Sequence, residues 1–280
     1  MQANDLERKR RSRQAFGLGA AALLLAVLAL YSSSRGAGTP GWGVPDKPAS
    51  ASQLVSASTG DLGRLWQWAD AEFSGGAAGG SWGLRWLVPE LTETQAKQLR
   101  TQLAGVDAAS VPSTDERGAE SGILWKAERT DETGRWLVSA LRSGSGEGEM
   151  EAVIRLAAAQ PASKPSLERA QARVLGVLRG AGVDDAAALL SIQASGKGLR
   201  EDSAERILAA AEARRLDKYE DEATIVSTYA TDRLEGSVSL EADDGSERAN
   251  LQLAQSKPGN KPGAAITIGV PLLTGEAGRP

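Results

Sequence analysis

The sequence predicts an α+β fold: antiparallel sheets with helices on one face, in a duplicated helix–strand–helix–strands unit, behind an N-terminal transmembrane helix. Three observations carry this. Apolar residues recur at helical spacing near Leu62 and again near Leu167. Capping boxes at Thr92–Gln95 and Asp202–Glu205 open a second helix in each half, 110 residues apart. Runs of alternating segments then follow, three in the first half and four in the second. Strands in series with few helices fit helices stacked on one side of an antiparallel sheet, which leaves the other face uncovered.

The chain opens with a basic block (Arg8, Lys9, Arg10, Arg11, Arg13) followed by the uninterrupted apolar run Ala15–Tyr31. As a helix that run spans roughly 25 Å, slightly less than the ~30 Å hydrocarbon core. The basic block before it orients residues 1–31 as a cytoplasmic tail and membrane anchor, with the body outside the cell. Cleavage after Ser34, giving a secreted protein, is the alternative. Residues 32–60 are rich in Ser, Gly and Pro and read as a flexible linker.

In the first half, residues 61–160, Leu62, Leu65, Trp66, Ala69 and Phe73 mark a helix ending before "SGGAAGG". "SWGLRWLV" alternates as a strand with Trp82, Leu84 and Trp86 on one face. The Thr92 box starts a helix with an Ala96, Leu99, Leu103 stripe that stops at Gly105. "GILWKAER", "GRWLVSAL" and "EMEAVIRLAA" follow as strands.

The second half, residues 161–275, repeats the order. Ser166 is read as the cap of a helix carrying Ala170, Val174, Val177 and Leu178, and "AALLSIQAS" as a strand. The Asp202 box opens a helix through Ile207, Leu208 and Ala211, before "EATIVSTYA", "EGSVSLEA", "RANLQLAQS" and "AAITIGVPLL". Leu62 matches Leu167 and Trp82 matches Ala187 at an offset of 105, so a duplication is the simplest account.

"TIVSTYA", "ANLQLAQ" and "ITIGVPLLT", in that order behind a hydrophobic N-terminus, resemble the YwmB family of exported proteins from endospore-forming bacteria. The resemblance implies a fold similar to the TATA-box-binding protein. It carries over no catalytic residues.

Composition removes several chemistries. Without cysteine or histidine there are no disulfides, thiolate nucleophiles or imidazole bases and ligands. No S-x-x-K dyad stands in for them. The loops "SGSGEGE" and "SGKG" lack the residues of a phosphate or calcium loop, so no cofactor or metal is expected. The net charge of −4 becomes −7 once the +3 of residues 1–13 is set apart, and Phe73 is the body's lone phenylalanine. Nucleic-acid binding needs a basic face, and minor-groove binding also needs apolar wedges, so it is not expected. Six of the seven tryptophans lie between Trp66 and Trp136; Trp82 and Trp86 share a strand face with Leu84, and Trp136 shares one with Val138, so they read as core. Asp184–Asp185, Asp243–Asp244 and Glu220–Asp221–Glu222 fall in expected turns.

The remaining candidate is a surface. With Val238, Leu240, Leu251, Leu253, Ile266 and Ile268 turned to the helices, alternation puts Ser237, Ser239, Asn250, Gln252 and Thr267 on the opposite face. Neutral hydrogen-bonding groups lose less on desolvation than charges, so a partner can cover such a face. The expectation is a non-catalytic, membrane-tethered binding or scaffold module whose partner is another envelope protein or a second copy. The alternative is a carboxylate-dependent envelope hydrolase, which requires two acids converging ~5–9.5 Å apart.

Overall fold

The computed structural model describes residues 51–105, 123–142, 150–184, 188–242, 245–257 and 263–271. The expected membrane segment Ala15–Tyr31, most of the linker, the "SGSGEGE" loop, Asp185 and Asp243–Asp244 lie outside those residues. No described helix is long and apolar enough to cross a membrane.

Helix α1 (Ala51–Glu72) leads through a 3-10 turn at Ala77–Gly79 into β1 (Ser81–Leu91) and α2 (Glu93–Ala104). Strands β2 (Ile123–Asp131), β3 (Gly134–Arg142) and β4 (Met150–Ala158) complete the first half. The second half runs α3 (Lys164–Gly180), β5 (Leu189–Lys197), α4 (Ser203–Ala210), β6 (Arg214–Glu220) and β7 (Thr224–Ala230). It ends with β8 (Val238–Ala242), β9 (Gly245–Ala249), β10 (Leu251–Ser256) and β11 (Ala265–Val270).

Nine strands form one antiparallel sheet in the order β2-β3-β4-β1-β5-β11-β10-β7-β6, and β8 and β9 pair separately. The order is mirrored about the β1–β5 pair: outward on each side come the last, the middle and then an earlier strand of that half. Strand β6 is added at one edge.

The α+β expectation holds: the described helices lie on one face of a large antiparallel sheet. Alternation along β1 buries Trp82, Leu84, Trp86 and Val88, and register places Ile154 and Leu156 of β4 beside them. Leu251, Leu253, Ile266 and Ile268 continue the same core, as expected. Leu62 and Leu65 of α1, Leu99 and Leu103 of α2, Leu167 and Val174 of α3 and Ile207 of α4 cover it. A fully buried aliphatic side chain contributes about 1.5–3 kcal/mol, so this layer is the main source of stability. The tryptophans belong to it: Trp86 stacks on Trp136 at 6.4 Å and Trp66 on Trp82 at 5.1 Å.

Two buried carboxylates join elements distant in sequence. Glu72 receives the guanidiniums of Arg206 (2.7 Å) and Arg200 (3.2 Å). Burial pushes its carboxyl up, but the two arginines reverse this and hold it below its ordinary range. Asp131 accepts from the Trp136 indole (3.1 Å), the Thr133 backbone N–H (2.9 Å) and Arg173 (3.1 Å). Burial again opposes ionisation, and these donors outweigh it.

Some expectations need correction. Helix α1 starts at Ala51, inside the stretch read as linker. The Thr92 capping box forms as predicted and Gly105 closes α2 at φ 68°, a left-handed turn that suits glycine. The second box does not form: Asp202 precedes α4, but its side chain caps nothing. Ser166 lies inside α3, which begins at Lys164 with proline in its first turn. The helix expected through Ala211 stops at Ala210, and β6 takes the chain from Arg214. Strands β8 and β9 leave the main sheet. Val238 is therefore only half-buried and outside the core, and the side chain of Leu240 lies outside the described residues.

Candidate functional site

With the helices on one side, the other face of the sheet is the surface to be read. Cross-strand register assigns its residues, because directly paired positions share a face. One row runs Ser81, Ser195, Thr267, Ala254, Val226 and Tyr219 across β1, β5, β11, β10, β7 and β6. The next runs Gly83, Gln193, Gly269, Gln252, Thr228 and Asp217.

Neighbouring side chains on this face bond to one another. The Ser195 and Thr267 hydroxyls are 3.0 Å apart, and Gln252 Nε2 donates to Thr228 Oγ1 at 3.2 Å. Charge is confined to the border, at Lys197 on the end of β5 and Asp217 on the edge strand. The first half of the face is different. Arg85 stands directly opposite Arg155, and Arg135 holds Glu128 through two bonds of 2.6 and 2.8 Å. Leu87, Leu137 and Val153 lie among them.

Of the five residues expected on the open face, Gln252 and Thr267 are there. Asn250 is not. It is buried at 6% exposure, one residue before β10, where the strand that opens at Leu251 has yet to start. Its Oδ1 accepts from the Thr231 backbone N–H (2.9 Å), and its Nδ2 donates to the carbonyls of Thr231 (2.6 Å) and Leu234 (3.0 Å). It clamps the loop after β7. Ser237 precedes β8 and accepts from the Arg248 guanidinium at 2.8 Å. Ser239 pairs with Arg248 in the two-stranded sheet. Period-two alternation is valid only within one sheet, and the chain changes sheets between Ala249 and Leu251.

Asp61 is the residue the sequence reading missed. It is 2% exposed on α1, and its two oxygens accept the backbone N–H groups of Glu235 (2.9 Å) and Gly236 (2.8 Å). Burial pushes its carboxyl up to about 6 against the pull of those donors. The only sequence signal was an acid framed by glycines, "TGDLG". With both oxygens engaged and water excluded, this geometry suits a clamp rather than a general acid.

Two of the turn acids, Glu220 and Asp221, have structural partners. Asp221 Oδ1 accepts from Ala223 (2.8 Å) and Thr224 (2.7 Å) to form the β6–β7 turn. Glu220 is held by Lys218 (2.6 Å) and Lys257 (2.8 Å), which push it down to about 2. The "SGKG" segment joins β5 to α4, with Ser74 donating to the Lys197 carbonyl at 2.7 Å. Gly79–Gly83 has G-x-S-x-G spacing, which the sequence reading took to be absent. Ser81 there opens a strand rather than a strand-to-helix elbow, and it accepts from Gln160 at 2.8 Å. Among the described residues, no group of three acids could hold a metal ion. No protein-family model and no curated protein matches the chain.

Proposed function

We propose that the protein is a non-catalytic binding or scaffold module of the cell envelope, tethered by Ala15–Tyr31, with its body outside the cytoplasm. It engages another envelope protein, or a second copy of itself, through the open face of β5, β11, β10 and β7. The observation that carries the reading is a sheet whose second half, on the side away from the helices, is neutral and hydrogen-bonding in its interior, with Ser195, Gln252 and Thr267 half-exposed beside the buried Gln193, Val226 and Thr228. Such a face loses little on desolvation, and the Ser195–Thr267 and Gln252–Thr228 pairs are already oriented. The mirrored strand order further supports a duplicated, TATA-box-binding-protein-like ancestry, of which the binding mode is no part.

The test replaces Gln252 and Thr267 by Lys and crosslinks the envelope of intact cells. The variant keeps its thermal midpoint and loses the crosslinked species of the wild type. Retention of every species rules the face out as an interface. Protease added to intact protoplasts digests the body; a protected body refutes the orientation.

A further inference from the structure

The main sheet ends on two edge strands, β2 and β6, and they are built differently. Edge β6 carries charge on both faces, and a bulge between Arg215 and Asp217 breaks its pairing with β7. Both devices discourage the addition of a further strand. Edge β2 is regular: from Trp125 to Asp131 it pairs with β3 without a break. Among the described residues, no strand pairs with its outer side. Trp125 and Ala127 are buried toward the helices, while Lys126 and Glu128 stand exposed on the opposite face.

A two-fold axis perpendicular to the sheet pairs an edge strand antiparallel with its own copy, and each register sets one residue opposite itself. One register suits the charges of β2. With the axis at Ala127, Lys126 stands opposite Glu128 of the copy, twice by symmetry, and Trp125 opposite Arg129. With the axis at Lys126, Glu128 or Arg129, a charge meets itself; at Trp125, Lys126 meets Leu124. Opposite charges across a ladder stabilise it and like charges weaken it, so the order of residues in β2 selects the first register. Lys126 holds no ion pair among the described residues. Glu128 holds Arg135 of β3 and still keeps 41% of its side chain exposed.

The helix layer leaves room for this pairing. Helix α2 packs chiefly on β3, one strand in from the edge. In the dimer, α2 and its copy are three strand spacings apart, about 14 Å, beyond the roughly 8–10 Å at which packed helices touch.

We propose that the protein forms a two-fold dimer by pairing β2 with β2 of a second copy about Ala127, which joins two nine-stranded sheets into one. This edge is separate from the open face of β5, β11, β10 and β7, so either reading can fail without the other.

The chain has no cysteine, so an introduced thiol meets only its own copy. In the full-length protein, purified in mild detergent, Ala127→Cys sets two thiols opposite each other with Cα atoms about 5 Å apart, within disulfide reach. Mild oxidation gives a covalent dimer. Thr130→Cys, whose two copies stand about 20 Å apart, gives none. Lys126→Glu raises the dimer dissociation constant, measured by sedimentation, about tenfold or more. Should Ala127→Cys not fold, the exposed positions decide: Lys126→Cys mixed with Glu128→Cys crosslinks, and neither does so alone. A wild type that stays monomeric at the crosslinking concentration overturns the proposal. So does a Thr130→Cys variant that crosslinks as readily as Ala127→Cys, or an unchanged dissociation constant in Lys126→Glu.

Discussion

Asn250 and Thr267 looked equivalent in sequence, both polar and both next to a buried aliphatic. They differ in what their side chains replace. Asn250 supplies three bonds to backbone groups that water cannot reach, so Asn250→Ala strands a buried N–H and two carbonyls. We expect a loss of about 2–3 kcal/mol in urea denaturation. Thr267→Ala removes one bond on a half-exposed face and is expected to cost no more than about 0.5–1 kcal/mol. The sequence contained no cue for this difference. Side-chain-to-loop bonds depend on which loop folds back, and that is a tertiary fact.

Elements with a strong local signal were legible. The Thr92 box, the Ala96–Leu99–Leu103 stripe and Gly105 specify α2 through interactions within the helix and its caps, so they survive any tertiary context. The alternating runs of β1, β3, β4 and β11 were equally plain, because each has one face buried. Strand β6 was not. "RRLDKYE" carries charge on both faces, since an edge strand with little to bury needs no alternation, and its charges guard the edge. The half of the surface formed by β5, β11, β10 and β7 was legible only where the strand period held, at Gln252 and Thr267. Helix α1 offers a direct check at this scale. Gly60→Ala and Gly63→Ala should each stabilise the protein by about 0.5–1 kcal/mol, read from thermal melts, because neither Cβ meets an obstacle.

The whole molecule combines carboxylates that respond oppositely to pH. Asp61 is raised above its unfolded value, so its ionisation works against folding and the fold gains stability as pH falls through about 6. From pH 8 to pH 5 that gain is about 1.4 kcal/mol. Glu72 and Asp131 are depressed below theirs, so their contribution is present above the unfolded values and is lost as pH falls through the folded ones. Stability against urea should therefore peak at mildly acidic pH, near ~5, and fall steeply below ~4. Glu72→Gln should cost about 2 kcal/mol at pH 7, with the gap to the wild type closing in strong acid. A profile that is flat from pH 8 to pH 5 contradicts the assignment for Asp61.

The β1–β5 ladder, from Ser81 opposite Ser195 to Leu87 opposite Leu189, is the single strand pairing that joins the two halves of the sheet. When that seam parts, together with the packing of α1 on α3, α4 and β5, it leaves a four-strand ladder β2-β3-β4-β1 and a five-strand ladder β5-β11-β10-β7-β6, and each then presents a long, β-prone central strand as a raw edge. The complement of either edge is the other half of any second chain. Refolding at high concentration should thus give interlocked dimers that trade halves through the same register, separating only as slowly as a half unfolds.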